Sequence, residues 1–137
     1  MKVLVTGGHG MLGCHIQDKI WTTSHEGIFV SSKDYDLTSQ FQVRKMFEEI
    51  MPDAVIHAAA KVGGIQENIN NPIEFLEQNI LMNTNVVREA YRYGVRKLIG
   101  ISSTCVYPDA LPEDSYPLEE NSLHLGPPTP TNFHLYI

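Results

Sequence analysis

Residues 3–13 read Val3-Leu4-Val5-Thr6-Gly7-Gly8-His9-Gly10-Met11-Leu12-Gly13, an apolar triplet running into a glycine-rich segment. The triplet predicts a short strand. Gly7, Gly10 and Gly13, spaced three apart, predict a tight turn, and Leu12, Ile16 and Ile20 recur behind it at helical spacing. Strand, glycine turn and helix in that order form a dinucleotide-binding arrangement. Each glycine has a physical task. The turn out of the strand needs a residue free to take positive φ. A Cβ in mid-loop would hold a pyrophosphate off the backbone, and the last glycine lets the helix lie close to the strand. The N–H groups of the first helical turn, with the positive end of the helix dipole, then face the phosphates. Without its flanking strand and helix, the same spacing would mark only a tight turn.

Outward from this segment the strand–helix pattern repeats. Ile28-Phe29-Val30 predicts a second strand, which ends in Ser31-Ser32-Lys33-Asp34. In this arrangement the end of the second strand meets the adenosine ribose. An acid there accepts from a ribose 2′-OH, whereas hydroxyls and a cation suit a 2′-phosphate. Ser31, Ser32 and Lys33 come first, which favours NADP. Lys33 as a plain surface lysine is the alternative, and Asp34 keeps NAD open. Ser39 and Gln42 form a capping box for a helix whose apolar face is Val43, Met46, Phe47 and Ile50, with Pro52 as its stop.

Ala54-Val55-Ile56-His57 predicts the third strand, leading into Ala58-Ala59-Ala60. Small residues there admit a cofactor ribose or allow close helix packing. His57 reads as a hydrogen-bonded core histidine rather than a catalyst. Asn71 and Pro72 open the next helix, Gly94 closes it, and Ile73, Leu76, Ile80, Val87 and Tyr91 mark an expected inner face. Asn79 and Asn83 lie near that stripe, as structural glue or as part of a site. A fourth strand over residues 97–101 delivers Ser102-Ser103-Thr104-Cys105 to its C-terminal end, where open parallel sheets place their ligands. That run is either the chain's best catalytic candidate or a set of strand-end caps with a buried thiol.

The expectation is an α/β chain with a doubly wound parallel sheet of the Rossmann type. It is incomplete, a βαβαβαβ half of four strands in the order 3-2-1-4. The dinucleotide-binding domain covers residues 1–105, and an irregular Pro-rich tail covers 106–137. Six of the eight prolines fall at position 108 or later. At 137 residues and 42 % hydrophobic content, the chain holds one domain at most and can bury a core. The net charge of −6 is uneven, because five of the sixteen acids and none of the ten bases follow Lys97. No basic face for nucleic acid emerges. No apolar run approaches the roughly 20 residues of a membrane span. Cys14 and Cys105 make no disulfide framework, and neither they nor the six scattered histidines show metal-ligand spacing. That cysteine usage predicts a reducing, cytoplasmic compartment, and an N-terminus that enters a strand at once predicts no signal peptide.

With these segments in view, the chain resembles the extended short-chain dehydrogenase/reductases over nearly its whole length, to about Phe133. Lys61-Val62-Gly63-Gly64, Ser103-Thr104-Cys105-Val106-Tyr107-Pro108 and Gly126-Pro127-Pro128 narrow the resemblance. They match members that epimerise GDP-4-keto-6-deoxy-D-mannose at C3 and C5 and reduce its C4 ketone with NADPH. The resemblance implies that Gly7, Gly8, His9, Gly10, Met11, Leu12 and Gly13 hold the pyrophosphate, with Lys33 near the 2′-phosphate. Ala58, Ala59 and Ser102 would line the nicotinamide side, and Asn79 matches an asparagine of the family's active-site helix. Ser103 matches the catalytic serine that hydrogen-bonds the C4 carbonyl, and Cys105 matches the base for epimerisation.

The resemblance also brings a departure. Members carry Tyr-x-x-x-Lys soon after the Pro-rich loop; the lysine lowers the tyrosine pKa, and the tyrosine protonates the C4 oxygen. The matching position here is Leu135, Tyr136 stands one place late, and the sequence ends at Ile137. The implied reading is the N-terminal part, or a short form, of an enzyme that is a homodimer at full length, inactive by itself. A second reading is a non-catalytic dinucleotide-binding module that pairs with the full-length enzyme through the helix at 72–93. A four-strand half also leaves its fourth strand and some apolar helix surface uncovered, which predicts marginal stability or association.

Overall fold

Strands and helices alternate along the chain in the computed structural model, which describes residues 1–108 and 116–127. They are β1 (Lys2–Thr6), α1 (Met11–Ile20), β2 (Glu26–Val30), α2 (Gln40–Ile50), β3 (Ala54–His57), α3 (Ile65–Asn70), α4 (Pro72–Arg92) and β4 (Lys97–Gly100). Single 3₁₀ turns follow at Thr104–Val106 and Glu120–His124. The six-residue α3 was not expected; its Ile65 and Ile69 are exposed, so it offers no apolar face to read. Pro128, Asn132-Phe133, Leu135 and Tyr136 lie outside the described residues, as do Asp109, Glu113 and Asp114.

All strand pairs are parallel, in the order β2-β1-β3-β4. The expected order 3-2-1-4 is therefore corrected: β3 pairs with β1, not with β2. The register sets Val3 beside Ala54 and Thr6 beside His57. Burial explains the choice. Val3, Leu4, Val5, Ala54 and Val55 are all buried, as strands covered on both faces require. β2 opens on Glu26-Gly27 and fully buries only Val30, which suits an edge.

The described residues form two compact units. The first comprises Met1–Lys61 and Gln78–Ile101. On one face of its sheet, Leu4, Val30 and Val55 pack against Val43, Met46, Phe47 and Ile50 of α2 and Val86 and Ala90 of α4. On the other, Val3, Val5 and Ala54 pack against Ile20, with Ile16 beside it. Each such side chain other than the alanines contributes roughly 1.5–3 kcal/mol on burial. The second unit comprises Val62–Glu77 and the described residues from Ser102 on, with Phe75 buried.

The cap on α2 is half a box. Ser39 Oγ accepts from Gln42 N at 3.4 Å, but Gln42 Oε1 accepts from Asp36 N at 3.0 Å rather than from Ser39. Two helix faces need correction. In α1, Gly13 and Ile20 are buried whereas Leu12 is exposed. In α4, the buried side is Phe75, Asn79, Asn85, Val86, Glu89 and Ala90, while Ile73, Val87 and Tyr91 face outward. The helix carries two apolar stripes, and the buried one is interleaved with polar residues. Asn85 Nδ2 donates to Leu37 O and Thr38 O, both at 3.0 Å, and Glu89 Oε1 accepts from Arg92, while Glu89 Oε2 has no hydrogen-bond partner among the described residues. Every residue of β4 is exposed, as an uncovered edge implies.

Asp53 ties the lower ends of three strands. Its Oδ2 accepts from Lys2 N at 2.7 Å and its Oδ1 pairs with Arg96 Nη2 at 2.9 Å. The Lys2 amide first, then the Arg96 charge, hold its pKa below the ordinary 3.8. A depressed carboxyl stabilises the fold above its unfolded pKa and loses that contribution as pH falls. Asp53→Asn is expected to lower the urea midpoint at pH 7. The gap to the parent should close as both are taken below the ordinary 3.8, where the parent carboxyl protonates.

Candidate dinucleotide site

The chain leaves β1 toward β2 on one side and returns to β3 on the other, so the sheet's switch point lies between β1 and β3. Open α/β sheets bind ligands at the C-terminal ends of the strands flanking that point. Here those ends are Gly7 and Ala58. Gly7 has φ of +68°, and a Cβ on it would lie 2.8 Å from Ala59 N and 2.9 Å from Ala58 C and O. The glycine and the small residues opposite are thus one packing, with no room for a side chain between them. Gly8 N donates to Val30 O at 2.8 Å, which pins the loop to the end of β2. A Cβ on Gly13 would lie 2.4 Å from Gly7 O and 2.5 Å from Gly8 C and O, so α1 starts directly on the loop backbone. Gly10 is the open side: it is exposed, and a Cβ there would meet only Gly7 O, at 3.2 Å.

Gly10 is also the N-cap of α1 and brings no side chain to it; the first turn carries no acid. Helix geometry leaves the leading N–H groups without intrahelical partners. In α2 a serine fills that role, whereas in α1 no side chain does. His9, Met11 and Leu12 beside it are exposed. A helix end without a side-chain cap, on a loop whose residues other than His9 are glycines, fits a pyrophosphate.

At the end of β2, Asp34 is folded onto its own turn. Its Oδ2 accepts from Ser31 Oγ at 2.7 Å and from Ser31 N at 2.8 Å. These bonds, hydroxyl first and amide second, lower its pKa, and the charges of His9 and Lys33 add to the effect. Ser31 thus takes up one oxygen of this exposed carboxylate, Oδ2. Lys33 is exposed beside it.

Beneath the Gly7–Ala58 junction lies a polar tie. Thr6 Oγ1 and His57 Nδ1 are 2.6 Å apart, and His57 Nε2 and Asn83 Oδ1 are 2.9 Å apart. A carboxamide oxygen only accepts, so Nε2 carries the proton, Nδ1 accepts, and the Thr6 hydroxyl donates. Burial pushes the His57 pKa below 6.5, opposed by the Asn83 bond. The main chain closes the same corner: Ala58 N donates to Thr6 O at 3.2 Å and Ile101 N to His57 O at 3.1 Å. Asn79 clamps the next loop, accepting from Lys61 N at 2.8 Å and donating to Lys61 O at 3.1 Å, which leaves it one hydrogen and one lone pair. Thr6 belongs to no motif that marks it in the sequence. Its signal was a polar residue ending an apolar strand, as His57 ends another.

Gly7 to Gly13, Lys33, Ala58, Ala59 and Asn79 fall in the first unit, and Ser102, Ser103 and Cys105 in the second. Ser102 and Ser103 are exposed. Ser103 O accepts from Val106 N at 3.2 Å and so opens the 3₁₀ turn that contains Cys105. A Tyr-x-x-x-Lys spacing also occurs at Tyr93 and Lys97, but not on one helix. Tyr93 stacks on Phe47 with ring centroids 5.9 Å apart, and Lys97 pairs with Ala54 at the opposite end of the sheet from Gly7. Among the described residues, no group of His, Cys, Asp and Glu could hold a metal ion, and no helix is long and apolar enough to cross a membrane.

Comparison with known proteins bears on this site. The chain matches the NAD dependent epimerase/dehydratase family over residues 3–134. A protein of Drosophila melanogaster named probable GDP-L-fucose synthase is 42 % identical over 135 residues, 96 % of this chain and 41 % of its own length. The GDP-L-fucose synthase of Dictyostelium discoideum is 40 % identical over 133 residues, 95 % of this chain and 41 % of its own. The crystal structure of a GDP-L-fucose synthetase from Naegleria fowleri bound to NADP superposes with a TM-score of 0.85 at 35 % identity, over 98 % of this chain and 39 % of that one. The chain thus spans about two fifths of the length of these relatives. A match from the first strand nearly to the last residue, on a sheet whose switch point carries the glycine loop, settles the wider kinship: the chain belongs to the NAD dependent epimerase/dehydratase family.

Proposed function

We propose that this chain is the dinucleotide-binding portion of an NADP(H)-dependent epimerase/reductase that converts GDP-4-keto-6-deoxy-D-mannose to GDP-L-fucose. The observation that carries the reading is the packing of Gly7 on Ala58 and Ala59 beside an uncapped α1, in a chain 42 % identical to a probable GDP-L-fucose synthase. Residues 1–105 form the cofactor domain and 106–137 a tail. Gly7 to Gly13 receive the pyrophosphate. Lys33, with His9 nearby, receives the 2′-phosphate, since Asp34 is held by Ser31. Ala58, Ala59, Asn79 and Ser102 shape the nicotinamide side. NADPH, when bound, supplies hydride for the C4 ketone. Ser103 holds the C4 oxygen by a hydrogen bond. Cys105 as thiolate takes the protons at C3 and C5, which the adjacent ketone makes acidic, and a second, acidic group reprotonates each carbon from the opposite face.

Leu135 stands where the resemblance puts the proton-donating tyrosine. The 137 residues alone are therefore expected to bind cofactor without turning over the sugar nucleotide, the full-length enzyme being a cytoplasmic homodimer. A second reading is a non-catalytic module that pairs with the full-length enzyme. It draws on the outward stripe of α4, where Ile73 is 71 % and Tyr91 87 % exposed. Thermal unfolding of the 137-residue chain with NADP⁺, NADPH and NAD⁺ tests the core of the proposal. A ligand at one hundred times its Kd adds about 2.7 kcal/mol to the folded state. The melting temperature should climb with NADP⁺ or NADPH concentration, and NAD⁺ should need at least roughly tenfold more for the same rise, about 1.4 kcal/mol of discrimination. Melting indifferent to all three dinucleotides would sink the reading, and turnover of GDP-4-keto-6-deoxy-D-mannose would sink the inactivity of the chain alone.

A further inference from the structure

Thr6 is the residue before Gly7, and His57 is the residue before Ala58. Their side chains meet at 2.6 Å, and one step along each strand the backbones meet with no side chain between them. Any change in the Thr6–His57 separation therefore passes to the Gly7–Ala58 junction without slack. We propose that His57 is a positioning residue for the dinucleotide: in its Nε2–H form it ties β1, β3 and α4 together beneath the junction, and a proton added to it loosens that junction and weakens dinucleotide binding. This rests on the dinucleotide-binding reading above and adds a residue that touches no ligand.

The chemistry follows from the donor count. A protonated imidazole carries hydrogens on both nitrogens, so Nδ1–H would face the Thr6 hydroxyl hydrogen. The hydroxyl would have to turn, and Thr6 is 0 % exposed, so its displaced hydrogen has no water to find. The groups that face His57 are Thr6 from β1, Gly100 at the paired position of β4, and Asn83 from α4. All are uncharged, so none offsets an imidazolium. Asp53 and Lys61, four residues away on either side, are the nearest charges along the chain; Asp53 is engaged with Lys2 and Arg96.

The test is ¹⁵N NMR of the His57 ring in the 137-residue chain, titrated from about pH 8 to about pH 5 with and without NADP⁺, the range in which imidazoles exchange protons. If protonation costs tenfold in affinity, reciprocity requires His57 to titrate about one pH unit lower when NADP⁺ is bound. The sign discriminates, because phosphates that merely approached the ring would raise its pKa. A second measurement uses His57→Asn, which keeps an acceptor for Thr6 and loses the reach to Asn83. Its NADP⁺ affinity should be weaker than the parent's at pH 8, and it should lack the part of the acid-side decline that His57 causes. An Nε2–H tautomer at neutral pH with a lowered titration on binding supports the inference. NADP⁺ binding with an unmoved or raised His57 titration overturns it while leaving the cofactor reading intact. Failure of NADP⁺ to move the amides of residues 7–13 overturns both.

Discussion

Gly7→Ala is expected to cost roughly 2–5 kcal/mol of stability and to abolish dinucleotide binding. Two penalties act at once. A non-glycine residue at φ of +68° is strained by about 1–2 kcal/mol. The added methyl also enters a space bounded by Ala58 and Ala59 backbone atoms at 2.8–2.9 Å, an over-packing that costs about 1–3 kcal/mol. The neighbours are main-chain atoms of the sheet's central region and cannot swing away as a flexible side chain would. Against a total stability of about 5–15 kcal/mol this is a large fraction. Gly13→Ala gives an instructive contrast. Its methyl would lie closer, 2.4 Å from Gly7 O, but position 13 is helical, where alanine is favoured over glycine by about 1 kcal/mol. Its loss of stability should be the smaller of the two, while NADP⁺ binding is lost in both. Urea midpoints of the two variants, with and without NADP⁺, check the ranking. A wild-type midpoint for Gly7→Ala would contradict the junction as described.

Thr6→Val is expected to cost about 2 kcal/mol, within the usual range for a buried group left without its partner. Valine has the shape of threonine, so packing is kept, but the buried His57 Nδ1 loses its donor. The effect should depend on pH with a definite sign. The folded-state pKa of His57 lies below its ordinary 6.5. Between the two values the unfolded chain binds more protons, so this group's contribution is complete above about pH 6.5 and declines as pH falls, by at most about 1.4 kcal/mol per pH unit. Removing the Thr6 hydroxyl deprives the neutral imidazole of a bond and raises its folded pKa. The variant should therefore differ most from the parent near pH 8 and least near pH 5. Urea unfolding of both chains across that range reads the difference directly. A constant gap at every pH would mean that the hydroxyl is not bound to His57.

Much of this was legible in the residues. The strand–glycine–helix order fixed the loop, because few other arrangements need glycines at that spacing in that place. The face of α2 followed from Val43, Met46, Phe47 and Ile50, since one stripe on that helix is apolar and the rest is not. The sheet order did not follow. Hydropathy shows that Val55 belongs inside, but whether β3 lies beside β1 or β2 depends on which strand can tolerate the edge. The inner face of α4 was read from its most apolar residues, yet burial went to Asn79, Asn85 and Glu89 among the small and aromatic ones. Asn79 meets Lys61 and Asn85 meets Leu37 and Thr38, all from distant segments, and such pairings leave no periodic trace. The same holds for Asp34, which as a residue type argues for a free acid and in the fold serves Ser31.

The central pairing of the sheet has a consequence for synthesis. Val3 of β1 lies against Ala54 of β3, with β2 and α2 wholly between them in the chain. At about 5–20 residues per second, a ribosome needs several seconds to produce that interval. During that time Val3, Leu4 and Val5 have only the weakly buried β2 for company, and the flank destined for β3 is a vacant edge. The glycine loop cannot take its final shape until Ala58 and Ala59 arrive to meet Gly7. Assembly of the glycine loop is thus a late step in the life of the nascent chain, although residues 7–13 emerge first.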